Sequence, residues 1–107
     1  MSNPLSRSII GRAHALIADE RHWCRGALAR DKGGRAVEPT ETAARRWCAF
    51  GALIAAAHEM VGDLDQAHHL ASLAARRMHC CSTLINVNDI DGHRAVIELF
   101  ERAAAAE

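Results

Sequence analysis

The sequence predicts an all-α domain of about four helices packed around a central apolar helix. Half of the 107 residues are apolar while only 4% are aromatic, and alanine, the strongest helix former, supplies many of the apolar positions. Apolar residues recur at helical spacing in three segments. A further segment, roughly residues 41–61, is apolar on every side over much of its length, which is typical of a helix enclosed by others. The length fits a single domain over residues 1–107.

The first helix is predicted from Pro4 to Asp19. Proline suits the first turn of a helix, because the amide hydrogen that it lacks would have no partner there. The apolar positions that follow are Leu5, Ile9, Ala13, Leu16 and Ile17. They fall on one stripe, which indicates a helix with one face against the core.

A short loop or β-hairpin is expected near residues 26–38. The turn sequence Asp31-Lys32-Gly33-Gly34 separates two short stretches there, and such glycine-containing turns are typical of hairpins. The all-α class therefore includes one small irregular or β element.

The central helix is predicted over residues 41–61. Thr40 is a suitable N-cap, and Gly62 is a suitable residue to end the helix. Residues 47–57 include neither an acidic nor a basic side chain. We therefore expect this helix to be buried on several sides and to organise the fold.

The third helix is expected to start at Asp63, which forms a capping-box pattern with Gln66, and to fade after Thr83. Its core-facing residues are predicted to be Leu64, Ala67, Ala71, Ala74, Met78 and Cys81. These positions follow one helical face, so the helix should pack along a single side.

The polar stretch 86–92 predicts the last turn, and either Asp89 or Asp91 is expected to cap the helix that follows. Its inward residues should be Val96, Leu99, Phe100 and Ala103. The turn approaches the spacing of a calcium-binding loop, but Val87 stands where the first ligand should be, which argues against calcium.

Charge and cysteine content restrict the classes of function. Thirteen basic residues balance thirteen acidic ones, so the chain lacks the positive charge expected of a nucleic-acid binder. We find neither a membrane-length apolar run nor a basic-then-apolar leader, and expect no membrane span and no secretory signal. Four cysteines without a framework spacing fit a reducing compartment, which predicts a cytoplasmic protein.

Two stretches of the chain resemble each other. Trp23–Ala29 and Trp47–Ile54 both begin with Trp-Cys and continue after a short spacer to Gly-Ala-Leu. A large ring near a glycine is typical of a packing contact, because glycine lets two backbones approach closely. The similarity does not extend into a longer repeat, so no solenoid is predicted.

The two copies are expected to differ in role. Trp47-Cys48 falls in the apolar helix and should form the packing centre of the domain. Trp23-Cys24 precedes a turn beside His22 and Arg25, which makes it the candidate surface for a ligand or a partner. A thiol redox element that uses Cys24 or the neighbouring cysteines Cys80-Cys81 is a further alternative.

No spacing typical of a metal site or a catalytic centre occurs. The four cysteines and seven histidines include no Cys-x-x-Cys and no His-x-x-x-His pair. The chain also lacks a glycine-rich phosphate loop and a Gly-x-Ser-x-Gly elbow. We therefore predict no cofactor, leave the metal content open and favour a protein that is not an enzyme.

Four blocks of the chain form a recognisable set: Trp23–Asp31, Gly34–Val37, Arg46–Leu53 and Asn88–Asp89. In these blocks the chain resembles a family of small uncharacterised bacterial and phage proteins that is classed as a domain of unknown function. Cys24 departs from the family pattern, since members more often carry a polar residue without a thiol there. The resemblance implies a fold and a set of marker positions, and it implies no mechanism.

These observations favour a non-catalytic interaction or regulatory module that binds a protein partner or forms a homodimer. The alternative is a small-molecule or metal site at which Trp23-Cys24, Cys48 and the turn Asn88-Asp89 meet. The same residues could meet as a structural latch, in which Asn88 or Asp89 binds backbone amides of the 23–30 loop. Both alternatives require these distant segments to be neighbours in the fold.

Overall fold

The structure is a computed structural model that describes residues 4–78 and 84–105. These residues form five α-helices, namely α1 (Pro4–Ile17), α2 (Ala49–Val61), α3 (Leu64–Arg77), α4 (Leu84–Asn86) and α5 (His93–Ala105). They also form three short strands, β1 (Ala29–Arg30), β2 (Ala36–Val37) and β3 (Arg46–Trp47). The all-α prediction is right for most of this backbone, but the structure has five helices where about four were predicted, and a three-stranded sheet where a loop or a hairpin was expected. Within the described ranges, none of the helices has the length and apolar character needed to cross a membrane.

Helix α2 lies at the centre of the hydrophobic core, where it packs against both α1 and α3. Its buried residues are Ala49, Gly51, Ala52, Leu53, Ile54, Ala55, Ala56 and Ala57. Most of these side chains are small, which lets the neighbouring helices approach closely. The larger fully buried side chains are Leu53 and Ile54 of α2 itself, Ile9 and Ile17 of α1, and Val96 and Phe100 of α5.

The central helix begins at Ala49, later than the predicted start near residue 41. Its N-cap is Cys48 instead of Thr40, and the Cys48 sulfur accepts a hydrogen bond from the Gly51 backbone N–H at 3.2 Å. The pair Trp47-Cys48 therefore lies at the entry to the helix and not within it. Cys48 is nevertheless buried, with 3% of its surface exposed.

Strand β3 explains why the helix starts late. It pairs antiparallel with β1, and the paired residues are Ala29 with Trp47 and Arg30 with Arg46. This pairing joins segments that are distant in sequence, and it overrides the helix preference of the alanines and arginines before Trp47. A sequence pattern cannot show such a partner.

Strands β1 and β2 form the hairpin that the sequence predicted, and the complete sheet has the order β2-β1-β3. The Asp31 carboxylate closes the turn by accepting hydrogen bonds from the backbone N–H groups of Gly33 and Arg35, both at 2.9 Å. Gly34 has a φ of 89°, a conformation that glycine adopts without strain. The turn is therefore fixed by its own sequence.

The predicted boundary between α2 and α3 is confirmed. Gly62 ends α2 with a φ of 72°, and its N–H donates to the His58 carbonyl at 2.9 Å. The Asp63 carboxylate then caps α3 by accepting from the Gln66 N–H at 2.8 Å. Local capping chemistry was sufficient to place this turn.

Two other boundaries differ from the prediction. Helix α1 ends at Ile17, before Asp19, because the Asp19 carboxylate accepts from the Arg21 backbone N–H at 2.9 Å and starts a 3₁₀ turn. Helix α5 follows Gly92 and not an aspartate, since Asp89 and Asp91 belong to a π-helical turn, Val87–Asp91. The expectation that one of them caps the last helix was wrong.

Helix α3 ends at Arg77, earlier than the predicted end after Thr83. Its buried residues include Ala67, Ala71, Ala74 and the C-cap Met78. Leu64, which was predicted to face the core, is 45% exposed in the first turn. Cys80 and Cys81 lie outside the described residues.

Candidate functional site

Asn88 is the centre of the candidate site. Its side chain is completely buried. Its amide oxygen accepts hydrogen bonds from the Trp23 indole nitrogen at 2.6 Å and from the Ala49 backbone N–H at 2.9 Å. Its amide nitrogen donates to the Cys24 carbonyl and to the Asp89 carboxylate, both at 3.0 Å. One side chain thus joins the first Trp-Cys segment, the start of α2 and the turn before α5.

Asp89 extends this arrangement to the next residues of the loop. Its Oδ1 atom accepts a hydrogen bond from the Gly26 backbone N–H at 3.1 Å, in addition to the bond from Asn88. We call the bonds made by Asn88 and Asp89 to residues 23–26 and to Ala49 the Asn88 latch. The predicted capping of the 23–30 loop by Asn88 or Asp89 is confirmed.

The π-helical turn Val87–Asp91 sets the position of both side chains. The Gly92 N–H donates to the Val87 carbonyl at 3.2 Å, which spans one residue more than an α-helical bond. The extra residue changes the direction in which the following side chains project. Gly92, with a φ of 96°, then redirects the chain into α5. Such π-turns occur frequently at functional sites.

The two Trp-Cys copies lie side by side. Trp23 forms an isolated parallel bridge with Trp47. The Cys24 N–H donates to the Trp47 carbonyl, and the Cys48 N–H donates to the Leu28 carbonyl, both at 3.1 Å. The similarity between the two stretches therefore corresponds to a direct backbone contact between them.

Gly51 shows why the second copy needs a glycine. A Cβ atom added at this position would lie 1.9 Å from the Leu28 carbonyl oxygen, far inside van der Waals contact. The Leu28 carbonyl occupies this place because it accepts the Cys48 N–H at the start of α2. The sequence indicated a close approach at a glycine, and the structure identifies the backbone that approaches.

Both described cysteines are buried thiols. Burial raises the pKa of the Cys48 thiol to about 11, although the Gly51 N–H that it accepts acts in the opposite direction. Burial also raises the pKa of Cys24, and the positive charges of Arg30 and Arg46 oppose this shift only in part. The Cys24 thiol donates to the Ala27 carbonyl at 3.6 Å. Near neutral pH both residues are protonated, so neither has the thiolate that a redox nucleophile needs.

The remaining predicted residues stand at the margin of the latch. The Arg25 guanidinium lies over the Trp23 ring, 5.1 Å from its centroid, in a cation–π contact. His22 is exposed in the 3₁₀ turn before Trp23. Five of the seven predicted site residues thus meet around Asn88, namely Trp23, Cys24, Cys48, Asn88 and Asp89.

The sequence analysis missed His93, whose ring contacts that of Trp23. The ring centroids of His93 and Trp23 are 5.4 Å apart. The His93 Nε2 atom lies 2.7 Å from the Ile17 carbonyl, at the last residue of α1. In the sequence, His93 is distinguished only by its position directly after Gly92 at the start of a helix. This position does not indicate that its ring contacts Trp23.

A cavity of about 220 Å³ adjoins the latch. It is lined by Gly26, Ala27, Leu28, Cys48, Ile85 and Asp89. Its walls are mostly apolar, with one carboxylate and one thiol. Among the residues that the structure describes, no group of three or more histidine, cysteine or acidic side chains is arranged to hold a metal ion.

Comparison with known proteins identifies the family. The model of a family of unknown function, DUF6197, matches residues 1–106. The chain belongs to this family. The match confirms the resemblance inferred from the sequence, and it includes all seven predicted site residues. DUF6197 supplies no activity, and no curated protein and no solved structure matches the chain. The function of this DUF6197 member must therefore be argued from its geometry.

Proposed function

We propose that this DUF6197 chain is a non-catalytic protein-interaction module of the cytoplasm. The observation that carries the proposal is the contrast between two residues of the π-turn. Asn88 is completely buried and makes four hydrogen bonds, whereas Ile90, two residues later, is 76% exposed. A large apolar side chain is thus held in solvent on a turn whose neighbour is anchored, and together with Ile85, which is 43% exposed, it offers apolar surface to a partner.

The chemistry of the latch favours recognition over catalysis. In the described residues, every buried side-chain nitrogen and oxygen has a hydrogen-bond partner. The polar atoms of Asn88 are therefore committed to holding the fold together, and the two buried thiols are protonated. A nucleophile or general base needs an available lone pair next to a substrate. The unpaired state of Cys24 and Cys48 also fits a reducing compartment.

The proposed binding surface surrounds the π-turn. Ile85 and Ile90 are 43% and 76% exposed. Arg25 adjoins the end of the turn, because its Nη2 atom lies 3.5 Å from the position of a Cβ built on Gly92. Asp91 is also exposed on this turn. The exposed Arg46 of β3 lies near the turn, since Arg46 and Asp89 are both within electrostatic range of the Cys24 thiol. We call the surface formed by Arg25, Arg46, Ile85, Ile90 and Asp91 the latch surface.

Site-specific photo-crosslinking in the native host tests the proposal. Benzoylphenylalanine is placed at Ile90, and in a matched control at Glu101, which is exposed on α5 outside the latch surface. We expect a discrete crosslinked protein product from position 90 and none from position 101. Equal labelling from both positions, or no product from position 90, would contradict the proposal.

The cavity beside the latch favours a second candidate function, the binding of a small molecule. Cys48 and Asp89, two of the predicted site residues, both line it. The Asp89 Oδ1 atom is occupied by Gly26 and Asn88, and a ligand would contact the other carboxylate oxygen. A volume of about 220 Å³ with apolar walls fits a small apolar molecule that carries an amine.

Native mass spectrometry of the purified protein tests this second candidate, followed by ligand-detected NMR with a set of primary amines. Asp89→Asn retains an acceptor for the Gly26 N–H and removes the negative charge. Binding that disappears in this variant would support an amine site. If native mass spectrometry detects no bound small molecule and none of the amines binds the wild-type protein, the amine site is excluded.

A further inference from the structure

Charge is unevenly distributed along this electrically neutral chain. Residues 21–46 contain seven basic residues and three acidic ones, whereas residues 47–107 contain four basic and eight acidic ones. Asp31, one of the three acids, accepts hydrogen bonds from backbone N–H groups of the hairpin turn, and Glu41 accepts one from the Glu38 N–H. Two of the three acids thus bond to backbone N–H groups, and within the described residues none of the three forms an ion pair with an arginine.

Two arginines of this segment face each other directly. Arg30 and Arg46 are paired in the register of β1 and β3, so their side chains project from the same face of the sheet, about 5 Å apart at Cβ. Like charges in this position repel each other. Within the described residues neither arginine forms an ion pair with a carboxylate.

The hydrogen bonding of these two arginines differs. The Arg30 guanidinium donates to the carbonyls of Gly34 at 2.9 Å and Arg25 at 3.2 Å, and it is held in place. Arg46 is exposed, and its guanidinium makes no hydrogen bond to the described residues. Arg46 is thus available to an external anion, and a carboxylate bound there would also relieve the repulsion from Arg30.

An acidic and apolar segment lies near this positive charge, since Arg30, Arg46 and Asp89 are all within electrostatic range of the Cys24 thiol. Asp89-Ile90-Asp91 contacts the first Trp-Cys loop through the bond between Asp89 and Gly26, and the following Gly92 lies beside Arg25. Asp91 is exposed, and its carboxylate makes no hydrogen bond or ion pair with another described residue. The latch surface therefore carries a free cation, a free anion and an exposed apolar side chain.

We propose that the latch surface binds the same surface of a second copy of this chain, in a reversible two-fold dimer. A two-fold interface is self-complementary, so Asp91 of each copy would face Arg46 of the other while the two Ile90 side chains pack near the axis. The proposal rests on the proposed function and names its partner. The net charge of zero leaves no overall repulsion between two copies. With only Ile85 and Ile90 as large exposed apolar residues on this surface, the dimer dissociates on dilution.

Analytical ultracentrifugation over a range of protein concentrations tests the dimer. We expect Arg46→Glu and Asp91→Arg each to weaken association about ten-fold or more, because each places like charges opposite one another. An equimolar mixture of the two variants should form a heterodimer, since the reversed charges are again complementary. Arg102→Glu and Glu98→Arg, at exposed positions of α5, are matched controls that should dimerise like the wild-type chain.

The folded state of each variant is checked by its unfolding transition. Arg46→Glu removes a like-charge pair, so we do not expect it to destabilise the fold. If its unfolding transition is no lower than that of the wild-type chain, its loss of association cannot be attributed to unfolding. A wild-type chain that stays monomeric at every concentration overturns the dimer, as does a dimer that both charge reversals leave intact. If the chain is monomeric and position 90 still crosslinks to a different protein, the interaction module stands and only its proposed partner is wrong.

Discussion

The Trp23 indole nitrogen donates a hydrogen bond of 2.6 Å to the amide oxygen of Asn88, across 65 residues of chain. Both groups are buried, and the same amide oxygen accepts the Ala49 N–H at the start of the central helix. Polar groups removed from water must be paired inside the protein. The bond therefore determines where the first Trp-Cys segment lies relative to α2 and to the π-turn.

Replacing Asn88 with alanine should be strongly destabilising. The substitution leaves three buried partners without a hydrogen bond: the Trp23 indole, the Ala49 N–H and the Cys24 carbonyl. Each such group costs about 1–3 kcal/mol, so the free energy of unfolding should fall by roughly 3 kcal/mol or more. Urea denaturation measures this change.

Two variants serve as comparisons for Asn88→Ala. Gln66→Ala removes an exposed amide and should change stability by less than about 0.5 kcal/mol. Trp23→Phe removes one donor and leaves the bond to Ala49, so its loss should be smaller than that of Asn88→Ala. A loss below about 1 kcal/mol for Asn88→Ala would show that the latch contributes little to stability.

Gly51 and Gly11 should respond in opposite directions to replacement by alanine. At Gly51 the new methyl group would lie 1.9 Å from the Leu28 carbonyl, so the loop must move away from α2 and stability should fall by at least 3 kcal/mol, on the order of the largest effects of overpacking. At Gly11, inside α1, an added Cβ would meet no atom within 4 Å outside the adjoining turns of the helix, and alanine should stabilise the helix by about 0.5–1 kcal/mol. Thermal unfolding of both variants provides the test, and equal signs would contradict the contact at Leu28.

The Cys48 thiol should make stability depend on alkaline pH. Its pKa is raised to about 11 in the fold, from an ordinary value of 9.0. Below pH 9 both states are protonated, and the stabilisation is fully present. As the pH rises from about 9 to about 11, the unfolded state ionises first, so this contribution, roughly 3 kcal/mol, is lost.

Cys48→Ser isolates this effect. Serine is a preferred N-cap and can accept the Gly51 N–H, so stability near neutral pH should be retained. Cys48→Ala lacks the cap and should lose about 1 kcal/mol. The difference in unfolding free energy between the wild-type and serine proteins should shift with alkaline pH. A constant difference up to pH 11 would contradict the raised pKa.

Arg46→Glu should be neutral or stabilising. It converts a like-charge pair with Arg30 into an opposite-charge pair directly across β1 and β3, which is worth about 0.2–1 kcal/mol in a sheet. Chemical denaturation at low and high salt measures the gain, and salt should reduce it. Arg102→Glu changes the same charge on α5 and should show no comparable gain. A clear destabilisation by Arg46→Glu would contradict the register described for β1 and β3.

The parts of the fold that local chemistry controls could be predicted from the sequence. The Asp31 turn, the Gly62 end and the Asp63 cap each depend on residues within a few positions of one another. The start of α2 was predicted wrongly, because Arg46–Trp47 takes its conformation from a strand that lies sixteen to eighteen residues earlier. Cysteine is also an uncommon N-cap, so Cys48 gave no boundary signal.

The candidate site could be predicted only in outline. The family-like blocks indicated that the segment at Trp23 and the turn at Asn88 meet, and the structure shows that they do. The π-turn, the contact between Leu28 and Gly51 and the position of His93 could not be inferred. Each depends on the place of a backbone carbonyl in the fold, namely that of Val87, Leu28 or Ile17. Because every residue carries the same carbonyl group, the sequence does not indicate which one makes such a contact.

The position of Asn88 in the chain also has a consequence for the order of folding. The Trp23 indole, the Ala49 N–H and the Cys24 carbonyl all belong to the first half of the protein, and their partner is synthesised about 40 residues after the last of them. Until residue 88 leaves the ribosome, α1 and α2 can collapse together only with these groups still hydrated or unpaired. A nascent chain that stops before Asn88 should therefore remain sensitive to proteases, and completion of the π-turn should be the event that makes the N-terminal half resistant.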